Sequence, residues 1–119
     1  MGNKVKAEES KKVDDGKHEG TIKEVVSRTD PYEYTDLIIE LGKSEEFPGL
    51  QLKAGFPTKL TKDTSLGALL ARFGIDIEIG KEYDVEELLK DKQVVFQTLT
   101  KKTEKGTFAN VIQDSIKPK

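Results

Sequence analysis

The chain has no cysteine, no tryptophan, one methionine and one histidine. Without thiols it can form no disulfide, no thiolate metal site and no cysteine nucleophile, and it suits a reducing compartment. Histidine chemistry is confined to His18, which lies at the edge of a charged stretch with no fixed partner and reads as a solvated side chain. Neither GxxxxGK[ST] nor GxGxxG occurs, and GFPTKLT holds Gly55 and Lys59 without the Walker spacing. The acid pairs Asp14–Asp15, Glu45–Glu46 and Glu86–Glu87 are adjacent. Neighbouring residues on a strand or helix diverge, so none of them makes an acid–base pair or a metal site. Long apolar runs are absent as well. No segment approaches the roughly 20 residues of a membrane span, and the start carries no apolar signal core. Lys6 stands where myristoylation after Gly2 needs Ser or Thr. The expectation is a cytoplasmic, non-enzymatic protein with no cofactor, no metal and no membrane contact.

What is present is charge. Of 119 residues, 35% are charged and 34% hydrophobic, enough for one domain with a disordered portion. The first twenty residues hold five lysines against five acids and no aromatic. Residues 1–17 therefore read as a disordered charged tail, and 18–119 as the domain. The net charge of −2 hides an asymmetry. Residues 64–91 hold three basic and seven acidic side chains, while residues 92–119 hold six basic and two acidic ones. Such poles let an acidic protein meet a polyanion on one side.

Periodicity supplies the elements. GTIKEVVS from Gly20 reads as a first strand, TDLIIELG as a second and LQLKAGF as a third. The loop SRTDPYEY, with its Asp30-Pro31 turn signal, separates the first two. DTSLGALLARFG places Leu66, Leu69, Leu70 and Phe73 at helical spacing, with Asp63, Thr64 or Ser65 to cap it and Gly74 to end it. IDIEIG alternates like a short edge segment. YDVEELLK reads as a very short helix with a capping box from Asp84 to Glu87 and a Tyr83–Leu88 staple. KQVVFQTLT and TFANVIQDSI are the last strands, joined by a KKTEKG turn with Gly106 at the position needing positive φ.

The order β-β-β-α-β-β predicts an all-β protein with one main helix: an OB-fold, a five-stranded, partly open Greek-key barrel. In that fold the loops between strands 1 and 2 and between strands 4 and 5 flank the ligand groove. Single-stranded nucleic acid needs cations along its backbone and flat rings for its bases. The first loop brings Arg28, Tyr32 and Tyr34, and the second Lys101, Lys102 and Lys105. Lys23 and Lys53 on strands, and Phe108 just past the turn, complete the candidate binding set. Phe108 is read as groove or core alike. Phe56 reads as core, Phe73 as helix core and Phe47 as a turn anchor.

Over Gly20–Pro118 the chain resembles small OB-fold proteins encoded in the replication clusters of phages, prophages and mobile elements. The resemblance rests on GTIKEVV, DLIIEL, GLQLKAGFP leading into SLGALLARFGI, YDVEELLKDKQVVF and GTFANVIQDSIKP. Members of that group commonly carry glycine where this chain has Asp91. The resemblance implies binding of single-stranded DNA in replication or recombination without catalysis, while the residue types themselves suit RNA as well as DNA. The competing expectation is an OB-fold adaptor that meets a replication or repair protein through its acidic segment and touches no nucleic acid.

Overall fold

A computed structural model describes residues 13–29, 32–104 and 106–119. Three strands, β1 (Gly16–Arg28), β2 (Tyr34–Leu41) and β3 (Gln51–Pro57), form a meander. The helices α1 (Ser65–Arg72) and α2 (Val85–Leu89) follow, then β4 (Gln93–Thr103) and β5 (Gly106–Val111) as a hairpin. A 3-10 turn, Gln113–Ser115, leads to the two-residue β6 (Lys117–Pro118). Every pairing is antiparallel, in the order β3-β2-β1-β4-β5 with β6 on β4.

β1 is the hub. Its first part pairs with β4, from Gly16 opposite Thr98 to Thr21 opposite Gln93. From Gly20 onward it also pairs with β2, ending with Arg28 opposite Tyr34. Between these duties the register slips: Ile22 faces Ile39 and Glu24 faces Ile38, leaving Lys23 as an extra residue. Such a bulge bends a strand and increases its twist, which suits a strand shared by two neighbours. The curled sheet brings β5 beside β3, where no ladder forms. The Gln113 amide donates to the Gly55 carbonyl across that gap.

The alternation that marked the strands sorts their faces. Ile22, Leu37, Ile39, Phe56, Val94 and Phe96 point inward and are buried. They meet Leu66, Leu69 and Leu70 of α1, Leu89 of α2 and Ile116. Thr64 caps α1, its Oγ1 accepting from Gly67 N at 3.2 Å. Gly74 closes the helix with φ +79°. The helix is anchored from outside by Arg72, which donates to the carbonyls of Ile116 (2.5 Å) and Gln113 (2.9 Å). Asp84 caps α2, its carboxylate accepting from Glu87 N at 3.1 Å.

Four boundaries differ from the sequence reading. The ordered chain starts before His18: Val13 is buried and β1 begins at Gly16. The Asp14 carbonyl accepts from Thr98 Oγ1 at 2.9 Å, so this stretch is held on β4 despite its charge. Residues 1–12 of the expected tail lie outside the described residues. A second difference is IDIEIG, which forms no strand. The Tyr83 hydroxyl donates to the Asp76 carbonyl and accepts from Glu78 N, gathering the segment into a loop. β5 stops at Val111 rather than running to Ile116, because Ser115 turns back: its Oγ donates to the Ile112 carbonyl and accepts from Gln97 N. Finally, Lys101 and Lys102 belong to β4 and not to the turn, since pairing continues to Thr103 opposite Gly106.

Val13 and Asp91 each set a measurable stability difference. A chain beginning at His18 should be less stable than one beginning at Val13 by about 2 kcal/mol or more, the value of burying one valine, with several backbone bonds lost besides. Thermal unfolding of the two truncations compares them, and equal midpoints would show that residues 13–17 contribute nothing. The second concerns Asp91, which has φ +67°, and whose N–H donates to the Ile22 carbonyl at 2.7 Å. An L-residue pays for that conformation and glycine does not, although glycine gains entropy when unfolded. Asp91→Gly should therefore raise stability by about 0.5 kcal/mol, seen as a later urea midpoint.

Candidate nucleic-acid interface

The strand alternation that buries Leu37 and Ile39 turns Tyr34, Asp36 and Ile38 of β2 to the other side of the sheet. Arg28 of β1 and Lys53 of β3 share that face through their cross-strand partners Tyr34 and Ile38. At its centre is a buried carboxylate. Arg28 reaches Asp36 twice, Nε lying 2.5 Å from Oδ2 and Nη2 donating to Oδ1 at 3.1 Å. Lys53 Nζ stands 4.0 Å from the same Oδ2. The Arg28 guanidinium also lies over the Tyr34 ring, 5.1 Å from its centre, a cation–π contact. Gly55 is what lets these groups close up. A Cβ there would come within 2.9 Å of Asp36 Oδ1 and 3.3 Å of Tyr34 Cδ2. Arg28 is thus paired with a carboxylate while its side chain stays 37% exposed, and Tyr34 is half covered. Lys53 keeps its ammonium in solvent.

The β4–β5 hairpin is different. β1 leaves β4 after Thr98, so residues beyond it form a two-stranded ribbon. Lys101 pairs with Phe108 and Leu99 with Asn110, which places all four on one face. Phe108 is 51% exposed and Leu99 54% exposed. Lys102 pairs with Thr107 on the opposite face, so the two lysines do not act side by side. Phe108, read as core or groove from sequence, is on the surface. Lys105 lies outside the described residues.

The hairpin and the Arg28–Tyr34 pair sit at opposite ends of β1, with Lys53 between them. Lys53 and Asn110 line the same open cleft along the gap between β3 and β5. Tyr32 stands apart in the loop before β2, largely exposed. Lys23, the bulge residue, lies in another cleft with Glu19, Glu40, Lys43 and Lys119, away from Arg28. The set is therefore divided: Lys101 and Phe108 with Leu99 and Asn110, then Lys53, then the Arg28–Asp36–Tyr34 cluster.

Leu99, Asn110 and Asp36 were missed as parts of this surface. Leu99 was signalled by period alone, because in QVVFQTLT it falls out of step with Val94, Phe96 and Thr98. His18 departs from its expected solvated state. Its Nδ1 lies 2.5 Å from Glu45 Oε1, its Nε2 lies 2.6 Å from the Asp14 carbonyl, and its ring sits 6.0 Å from that of Phe96. Placed opposite Phe96 and two steps in register from Gly20, it occupies an inward position of β1. Nearby, the Glu19 carboxyl is held below the usual carboxylate range, first by its hydrogen bond from Lys119 and then by that from Ser44.

Among the described residues no helix is long and apolar enough to cross a membrane, and no group of three or more His, Asp or Glu side chains is placed to hold a metal. No family model matches the chain, and no curated protein sequence matches it.

Proposed function

We propose that the chain is an OB-fold protein that binds single-stranded DNA with little sequence preference, as a non-catalytic component of replication or recombination. The fold reading is supported by the central β1 pairing with both β2 and β4, by α1 after β3, and by the return of β5 beside β3. The functional reading rests on one observation: an exposed ring, Phe108, directly across the ladder from an exposed lysine, Lys101. A base stacked on Phe108, with Leu99 beside it, leaves its phosphate within the reach of Lys101. The strand then continues over Asn110 to Lys53. Stacking tolerates any base because each has a π-face, and phosphate contacts position without specifying.

The test is a fluorescence anisotropy titration with labelled oligo-dT, oligo-rU and duplex DNA at two ionic strengths. Oligo-dT should bind more tightly than duplex, and its affinity should fall with salt. Equal binding to duplex would reduce the site to a basic patch. No binding to any of the three would leave the adaptor reading, favoured by the acidic groove beside α2, in first place.

A further inference from the structure

The acidic pole of the chain is also a groove. It is an open hollow of about 610 Å³ between α2 and the far end of β1. Half-buried Val25, Tyr83 and Val85 supply its apolar floor, and exposed Glu82, Asp84 and Glu86 its rim. Among the described residues no lysine or arginine lies within 4.0 Å of these three carboxylates. The hairpin has the complementary character. Lys101 and Lys102 are exposed without an acid in that range among the described residues, and Leu99 and Phe108 offer exposed apolar surface between them. Groove and hairpin lie at different ends of β1. The groove lies at Val25 and Ser27, whereas the hairpin leaves β1 beyond Gly16, nine or more residues earlier on the strand.

We infer that the groove beside α2 receives the β4–β5 hairpin of a second copy of this chain, so that copies join head to tail. Lys101 meets the carboxylate rim on the face where Phe108 covers the apolar floor, and Lys102 adds its charge from the other face of the hairpin. The contact joins two different surfaces. It therefore has no two-fold symmetry, and growth continues from both ends unless the rotation closes a ring. A two-stranded ribbon laid in a hollow is a small interface of the weak, transient class, and its charges make it sensitive to salt.

Sedimentation velocity on the full chain, with no nucleic acid present, tests this independently of the DNA reading. At low ionic strength the average mass should rise with concentration past that of a dimer. Near 1 M salt, where the screening length falls to about 3 Å, it should return to the monomer. Lys101→Gln with Lys102→Gln, and separately Glu82→Gln with Glu86→Gln, should each weaken association at least tenfold. All four side chains are exposed, and an unchanged far-UV circular dichroism spectrum verifies folding. Mixed in equal amounts, the two variants should form a dimer that grows no further, since one intact hairpin and one intact groove remain. A monomer at every concentration, association unchanged in either variant, or no dimer in the mixture would overturn the inference.

Discussion

Leu69→Ala should lower the stability of the chain by about 2–5 kcal/mol, the range for cavity-forming truncations in cores. Leu69 is 0% exposed and sits on the α1 face that packs into the sheet with Leu66 and Leu70. Two features keep the site from collapsing around the smaller side chain. Arg72 ties the helix to the carbonyls of Gln113 and Ile116. Gly67 lies so close to the preceding loop that a Cβ would be 1.8 Å from the Thr61 carbonyl oxygen. A helix fixed at both ends cannot slide into the void, which places the expected loss in the upper half of the range. Ile79→Ala is the matching control. That side chain is fully exposed, so its truncation should stay within about 0.5 kcal/mol. Urea unfolding of both variants reads the difference. A Leu69 loss below 1 kcal/mol would mean that α1 is peripheral to the core.

Ile79 also shows where reading the sequence stops. In IDIEIG the apolar residues alternate as in a strand, and Ile75 and Ile77 do pack on the core. Alternation found two of the buried positions but not the exposed Ile79, and a strand also needs a neighbour for its backbone. Here the Tyr83 hydroxyl takes two of the backbone groups. The opposite failure occurs at residues 13–19. Their composition signals solvation, yet Val13 and His18 turn inward while Asp15 and Lys17 stay in water. Charge counts average over both faces of a strand and so hide a half-buried one. The meander, the hairpin and the Asp84 cap were legible because each is specified locally, by alternation or by the residue at the helix start, while at α1 the structure selects Thr64 from three adjacent candidates.

The site was legible in its residue types and less so in its arrangement. Arg28 and Lys53 were placed among the candidates by charge, but Asp36 reads from sequence as an ordinary exposed strand residue. It is buried because Gly55 opens space beside it and two cations approach it. This non-local event pairs Arg28 with a buried carboxylate, which its charge alone does not signal. Lys101 and Lys102 look like a pair in the sequence and are divided by the pleat, because the strand runs further than the turn signal suggested.

That division makes the DNA prediction specific. Phe108→Ala should weaken oligo-dT binding by about 1–3 kcal/mol, the value of one stacked base, with little change in salt dependence. Lys101→Gln should leave stacking intact and remove one counterion-releasing contact, flattening the slope of log affinity against log salt by roughly 0.7. Lys102→Gln removes the same charge about 3.3 Å further along the chain, one residue's rise, but on the opposite face. If the DNA follows the Phe108 face, the Lys102 variant should change the slope by clearly less than the Lys101 variant does. The three variants together separate a groove from a diffuse positive field. Equal slopes for the two lysine variants, with Phe108→Ala silent, would mean that the hairpin attracts polyanions through net charge alone. A large Phe108 effect with unequal lysines requires a strand lying along the face that Leu99, Lys101, Phe108 and Asn110 share.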